Sequence, residues 1–503
     1  MIETSGQWVK KDASGRKIIK TNIQLVGNIN DDLDNIKKIL KDALGIHKDN
    51  VLEMDVLYSI FFGHTSIQNK SKSQRDDINN KVAVNSALPI VRTINSYCFG
   101  EAFKYLATNV EKQRDIEIFN ESMNYANNYE CTIDATLHSA ITGIGYKLAL
   151  PTRDDEVPFK INGDIDSREA FCVYSAEAIP EKVMGVYIQD YINKDGNKQG
   201  NKYTIWTKYY QIFLRDDSND LNGYSVIPQR YAGSDVDAYP SSIGMIPLVE
   251  IRRNKFILGD FELVIPLLEA KSQLLSNRID DVQQLVDYLL VLTNCVFDSE
   301  SDKNNAIKSR LLMIKSTDPN NKASADILKN SLDQQGTQQL AEYIDLLIQE
   351  IVGIPSRQER GGGGGDTGQA VRFRNGFRDL ENNAGMIVPK METAEKEFAK
   401  ICLKYCKNIT SHPLSKENSL NAREIKVVFK RTLTDDPVSA SQAFSNYVNA
   451  GMNPTDALIA AKAVSDPAEV GSRCQVMDIN GSISPSSNSV DNKSPETSEN
   501  NEG

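Results

Sequence analysis

The chain has 503 residues, 40 % of them apolar and 25 % charged, and carries a formal net charge of −11. Such acidity excludes a free-standing grip on duplex DNA, because affinity for phosphate comes from lysine and arginine neutralising charge. It leaves room for a protein that touches DNA without holding it, and the length allows about two to four domains.

About the first 30 residues are polar and read as an irregular arm. Asp31 to Leu44 reads as a short helix, with Asp31, Asp32 and Asp34 at its start and Lys37, Lys38 and Lys41 later, the order a helix dipole favours. Met54 to Phe62 is apolar and aromatic. A polar linker, Asn69 to Lys81, leads to Val82-Ala-Val-Asn85 and an amphipathic helix through about Tyr97. From Gly145 to Ile251 the apolar period falls to two, and Tyr146–Leu150, Phe171–Tyr174, Val183–Ile188 and Tyr203–Phe213 read as strands. Asp195-Gly196 marks a hairpin between the last two. The module is α+β and lacks the alternating order of a parallel sheet.

Leu268, Leu275, Ile279, Val282, Val286 and Leu289 then form the longest helical stripe in the chain. It predicts a helix of about 25 to 30 residues, roughly 40 Å long, with one side buried and Pro266 in its first turn. Leu311–Ile314 reads as a strand and Ser316–Asn321 as a turn. Thr337–Val352 reads as a second helix, Gly376–Cys406 as a third with a kink at Pro389, and Glu424–Phe429 as a strand. Ser439–Val464 reads as two short helices split at Gly451, the second capped by Asn453 with Pro454 in its first turn. The tail from Asp478 has almost nothing apolar and is expected to be disordered.

The seven cysteines (Cys98, Cys131, Cys172, Cys295, Cys402, Cys406 and Cys474) are odd in number and irregularly spaced, and Met1-Ile-Glu-Thr-Ser5 lacks a charged-then-apolar leader. Synthesis in a reducing cytoplasm is expected. Leu285–Val296 comes nearest to a membrane span, but Asp287 and Asn294 interrupt it.

The most informative stretch is Gly336 to Phe377. A helical segment ends at Gly353-Ile-Pro355, and five glycines, Gly361 to Gly365, follow. Such a run has no side chains to pack and loses the most backbone entropy on ordering. It reads as a mobile loop or as backbone passing close to something large. Gly363-Gly-Gly365-Asp-Thr-Gly368 satisfies a dinucleotide-loop spacing, but no strand precedes it. Gln369-Ala370 stand where a P-loop needs lysine and serine or threonine. Arg357 and Arg360 before the glycines, with Arg372, Arg374 and Arg378 after them, suit transient contact with a polyanion. Cys402, Cys406 and His412 fall short of four zinc ligands. His64 and His138 accompany no nucleophile motif. The second short helix, Thr455–Val464, is too apolar to read base edges.

In this order the elements resemble the portal proteins of tailed bacteriophages, of the long-tailed type with about this chain length. The resemblance spans about residues 50 to 470. It is carried by Lys81–Gly100, by Ala170–Tyr174 through Gly185–Tyr187, and by Gly244–Glu250 with Leu258–Glu262 and the long helix. Gly353–Pro355 with Thr367–Ala370, and Asp435–Pro437 through Pro467, complete it. The polyglycine run departs from the family pattern. The resemblance implies an α+β portal fold with wing, helical stem, clip, tunnel loop and helical crown, assembled as a ring, usually of twelve.

On that analogy residues 1–259 form an N-terminal arm and wing, 260–293 the first stem helix, 294–335 the clip and 336–353 the second stem helix. Residues 354–366 form the tunnel loop, 367–433 a long kinked helix and the wing's return strand, 434–474 the crown and 475–503 a disordered tail. The DNA-facing tunnel-loop residues are Ser356, Arg357, Gln358, Glu359, Arg360, Gly361, Gly362, Gly363, Gly364, Gly365 and Asp366. The channel-lining stem acids are Asp280, Asp281, Asp287, Glu342, Asp345 and Glu350, and the clip contacts are Lys308, Arg310 and Lys315. Asp280, Asp281 and Asp287 outnumber Arg278 on the first helix, and Glu342, Asp345 and Glu350 lack an evident basic partner on the second. Repeated around a ring, such acids would keep a duplex centred within a Debye length of about 8 Å.

The implied role is a channel at one capsid vertex through which double-stranded DNA is packaged and ejected without sequence specificity. The implied partners are the terminase large subunit, a head-completion adaptor, and the major capsid and scaffolding proteins, with no membrane, metal, cofactor or enzymatic activity. The place is the virion, after assembly in the host cytoplasm. Two rival readings are a nucleic-acid enzyme using the glycine loop for phosphate and a non-portal capsid or tail ring.

Overall fold

The polar stretch between the first two predicted segments is helical, so one helix, α1 (Ile29–Phe61), replaces the short helix and the separate apolar run. Its polar middle is used internally. Asn50 accepts from the Lys17 amide (2.8 Å) and donates to the Lys17 carbonyl (2.9 Å), and His47 Nε2 meets the Arg168 carbonyl at 2.8 Å. Polar residues that look like a linker in sequence therefore hold the N-terminal arm against the body. The computed structural model describes residues 15–72, 77–152, 157–192, 196–231, 234–286, 289–293, 295–296, 315–316, 324–328, 334–355, 377–416, 418–429 and 437–461, with the short pieces 470, 476–477 and 483–484.

Two sheets organise the body. The larger has the order β1 (Ile19–Thr21), β5 (Ala170–Ser175), β6 (Lys182–Ile192), β7 (Lys198–Thr207), β8 (Tyr210–Asp216), β12 (Ala238–Pro240), with β9 (Tyr224–Val226) also on β8. Only β1 and β5 run parallel in it. The arm thus contributes a strand where the sequence reads as irregular. The expected hairpin around Gly196 joins β6 to β7. The predicted Tyr203–Phe213 strand is two strands, turned at Lys208-Tyr209, where the Thr207 hydroxyl accepts from the Tyr209 and Tyr210 amides. The N-terminal half of α1 covers this sheet through Ile36, Ile39, Leu40 and Ala43.

The smaller sheet is ordered β13 (Leu248–Arg252), β3 (Ile144–Pro151), β4 (Phe159–Asn162), all antiparallel. Around it lie α2 (Ala87–Phe99), α3 (Gln113–Tyr125), α4 (Asn128–Thr142) and α7 (Phe377–Asn408), which contains Pro389 as expected. The pair β2 (Lys104–Ala107) and β18 (Ile425–Val428) closes the main core with Phe99, Phe103 and Phe429. At its centre Lys147 on β3 bridges both oxygens of Glu395 on α7 at 2.9 Å, and the Tyr105 hydroxyl and Thr132 complete the cluster.

Residues 253–262 turn the chain from β13 into the long helix that follows. Gly143 has φ +83°, and a Cβ there would lie 2.3 Å from the Ile257 carbonyl oxygen; a Cβ on Gly259 would lie 2.2 Å from that of Ile141. Glycine is required where these backbones cross. Asp260 takes Arg253 (2.6 Å) and Glu262 takes Arg16 (2.5 Å), so the two acids of Leu258–Glu262 lock the turn.

The first long helix is shorter than predicted. α5 spans Ile265–Val286, and Leu289–Thr293 is a strand, β14, paired with β17 (Ser324–Leu328). The apolar residues after Val286 that extended the helical stripe serve this pairing instead. Cys295–Val296 (β15) pairs with Lys315–Ser316 (β16). The second predicted helix is α6 (Gln334–Val352), and the two short helices are α8 (Pro437–Asn449) and α9 (Pro454–Ala461), the latter capped by Asn453 Oδ1 on the Thr455 amide. Two small hairpins, β10 (Gln229–Tyr231) with β11 (Ser234–Val236) and β19 (Val476–Met477) with β20 (Ile483–Ser484), complete the described elements. The expected strand Leu311–Ile314, most of the turn after Ser316 and most of the tail lie outside the described residues.

Candidate functional site

Of the α5–α6 pair, α6 buries the apolar row Ala341, Ile344, Ile348 and Val352 in the usual way, whereas α5 departs from that pattern along one row. The row that α5 buries is Leu268, Ser272, Ser276 and Asp280, while Ile279 and Val282 of the predicted apolar stripe are 40 % and 45 % exposed. What covers the polar row is the segment Asn80–Val84, extended along the helix. The Val84 amide donates to Ser272 Oγ (3.2 Å), the Val82 amide to Ser276 Oγ (2.9 Å) and the Asn80 amide to Asp280 Oδ1 (2.7 Å). Four helical residues rise about 6 Å and two extended residues about 6.6 Å, so the two repeats stay in step over this length. The serine hydroxyls donate back to the helix carbonyls of Leu268 and Ser272, which leaves their lone pairs for the strap.

Asp280 is the anchor of this strap. Its side chain is 1 % exposed and pairs with Lys70 (2.8 Å) and Lys72 (2.5 Å), while Asn80 also donates its side-chain amide. Burial disfavours the charged carboxylate, but the Lys70, Lys72 and Asn80 hydrogen bonds outweigh it and hold the carboxyl well below the usual range. Asp280 therefore has no face open to solvent within this chain. Asp345 also has a basic partner, Lys271 at 2.5 Å across the helix pair. Arg278 donates to Gln338 (2.7 Å), and Gln338 donates to Glu342 (2.8 Å). Asp281, Glu342 and Glu350 are exposed, beside the exposed apolar Leu340, Tyr343 and Ile351.

The point where α6 ends is fixed. Gly353 has φ +69°, and its amide and that of Ile354 both reach the Gln349 carbonyl (2.8 and 3.0 Å). Asn383 on α7 donates to the Val352 carbonyl at 2.6 Å, and a Cβ on residue 353 would lie 2.6 Å from that amide nitrogen. The chain leaves α6 from a clamped exit, capped by a left-handed glycine. The tunnel-loop residues Ser356, Arg357, Gln358, Glu359, Arg360, Gly361 to Gly365 and Asp366 lie outside the described residues, as do Asp287, Lys308 and Arg310. Lys315 sits on β16, and only its backbone is described.

The set-aside motifs have structural roles. Burial pushes both Cys402 and Cys406 up, Cys406 to about 12, and His412 Nδ1 accepts from the Leu414 amide. Among the described residues no group of three or more histidine, cysteine or acidic side chains could hold a metal. The strap is what sequence reading missed; its trace is Ser272, Ser276 and Asp280 at spacing four, in line with Leu268 on one row of the helix.

The profile of phage portal proteins, SPP1 Gp6-like, matches residues 40–478. No curated protein sequence matches the chain. No described helix is long and apolar enough to cross a membrane.

Proposed function

The chain belongs to the phage portal protein family, SPP1 Gp6-like, and works in DNA packaging and head–tail connection; from that premise we propose how its parts act. Copies of the chain form a ring, twelve in number, at one capsid vertex. α5 and α6 form the stem around an axial channel, residues 294–335 the clip that meets first the terminase large subunit and then a head-completion adaptor, and residues 354–366 the tunnel loop. The body is the wing, embedded among capsid and scaffolding proteins, and the described helices α8 and α9 belong to the crown. Double-stranded DNA slides through without sequence specificity and without chemical change.

The observation that supports this reading best is the exposed face of the stem pair. Ile279, Val282, Leu340, Tyr343 and Ile351 are large apolar side chains left open on two adjacent helices. Apolar patches of this kind mark association surfaces, and neighbouring copies would cover them. Asp281, Glu342 and Glu350 are then the acids offered to the lumen. Their repulsion of phosphate keeps the duplex centred and lowers sticking. Asp280 instead ties the stem to the wing through the strap. Arg357 and Arg360 give the tunnel loop soft contact with DNA from its clamped exit.

Imaging the purified protein along its symmetry axis tests the reading: a ring with a continuous central hole is expected, with no change in assembly or stability on adding nucleotide. A solitary subunit stabilised by nucleotide would overturn it. In particles, Arg357→Ala/Arg360→Ala should lower DNA filling or retention while leaving ring assembly intact.

A further inference from the structure

A cleft of about 1130 Å³ lies between α7, residues 244–246 ahead of β13, residues 421–424 ahead of β18, and the turns at Glu181 and Lys208 of the larger sheet. Its charge is unbalanced. Glu397 is taken by Lys182 at 2.8 Å, and Glu424 is taken by the Asn421 amide at the same distance. Lys208, Lys396, Lys400 and Arg423 have no ion pair among the described residues, and Glu181 is the one acid of the lining not so engaged. Lys396, Lys400 and Lys404 also repeat at spacing four on α7. Like charges at that spacing repel along a helix; Lys404 donates to the Ile243 carbonyl at 2.7 Å, whereas Lys396 and Lys400 have no ion pair among the described residues. Burial lowers the Lys404 pKa, and the charges of Lys400 and Lys208 lower it further.

The complementary feature stands at the opposite edge of the same small sheet. The cleft adjoins β13, one outer strand; β4 is the other. Beside β4, Glu130 and Asp134 on α4 lie near Asp164 just beyond the strand; Glu130 and Asp164 are exposed, and His138 Nε2 meets Asp164 at 3.1 Å, a pair that carries positive charge only when the imidazole is protonated. Burial raises the Asp134 pKa, and Asp164 and Glu130 raise it further. Each edge therefore carries crowded like charge of opposite sign, in a chain whose net charge makes copies repel overall.

We infer that the basic cleft receives the acidic edge of a second copy of this chain, so that Lys396, Lys400 and Lys208 of one subunit face Glu130, Asp134 and Asp164 of the next. The contact joins two different surfaces, and a head-to-tail contact of this kind closes into a ring when its rotation permits. The inference rests on the ring reading above and adds the wing surfaces that set subunit order. Steering by such surfaces weakens with salt.

Charge swapping tests it on the full-length chain, read by native mass spectrometry with circular dichroism as the check on folding. Lys396→Glu/Lys400→Glu alone and Glu130→Lys/Asp134→Lys alone should each raise the concentration for half-assembly at least about tenfold. Mixed in equal amounts they should assemble again, because every contact in an alternating ring is then complementary. Lys396→Gln/Lys400→Gln, the milder variant, should show a smaller loss that shrinks as salt screens the wild-type contact. Rings at wild-type concentration from each swapped variant alone, or no recovery in the mixture of two folded variants, would overturn the inference while leaving the ring itself standing. A wild-type chain that never assembles would overturn both. Loss of duplex DNA binding in the glutamine variant with unchanged assembly would assign the cleft to DNA and overturn the inference too.

Discussion

The main core and the stem pair bury charge in opposite ways. Around the small sheet, Lys147 and Glu395 are both almost fully enclosed and satisfy each other, with Tyr105, Asn128 and Thr132 filling the remaining hydrogen-bond positions. That network is closed within one chain. On α5 the buried row is polar and leans on a single extended strap, while apolar side chains stay outside. One region is finished within the chain and the other leaves apolar side chains open, which the proposed ring would cover, so damage to the two should register in different measurements.

The largest stability effect should come from opening the closed network. Glu395→Ala leaves the Lys147 ammonium buried without its partner and is expected to cost about 3–5 kcal/mol, read by denaturant unfolding. Lys147→Met/Glu395→Met should recover most of that loss. A single-variant loss below about 1 kcal/mol would mean that water reaches the pair.

Asp280→Ala should come next, at about 2–3 kcal/mol, since it strips two ammonium partners and the Asn80 amide at once. The same variant should speed hydrogen exchange at Asn80, Val82 and Val84 specifically. Ser276→Ala should cost about 1 kcal/mol through the Val82 amide alone. Unchanged exchange along the strap in Asp280→Ala would break the contrast between the regions.

The body also carries two histidines whose protonation burial opposes, His47 and His412. Their folded pKa values lie below the unfolded value near 6.5, so the unfolded chain binds more protons under that pH. Stability is fully present above about 6.5 and falls as pH drops from there toward the lowered values. Urea midpoints measured from pH 7.5 down to 5.5 should decline, and His47→Gln should flatten part of that slope.

Much of the α+β order was legible because it rests on local signals. The two-residue alternation of Phe171–Tyr174 and Val183–Ile188, Gly196 in the β6–β7 turn, and Asn453 with Pro454 at α9 each state their structure within a few residues. What was illegible depends on partners far along the chain. The polar stretch between Leu44 and Met54 shows no helical stripe because Asn50 serves the arm at Lys17 and His47 the Arg168 carbonyl. Leu289–Thr293 extends a helical stripe, and only pairing with Ser324–Leu328 makes it a strand. Asp280 reads as a lining acid because Lys70 and Lys72 lie some two hundred residues away. The resemblance drew attention to this helix pair, and the distances show which of its acids are occupied within the chain.

The smallest change in monomer stability, within about 0.5 kcal/mol, is expected from Ile279→Ser/Val282→Ser, because both side chains are already largely open to solvent. Its effect on assembly should be large, and this separation tests the central claim most directly. Native mass spectrometry of the wild-type chain and of this variant at equal concentration should give a closed ring of twelve for the first and mostly smaller species for the second, with matching unfolding midpoints. A wild-type chain that remains a single subunit, or a variant that forms the same ring with the same ease, would contradict the account.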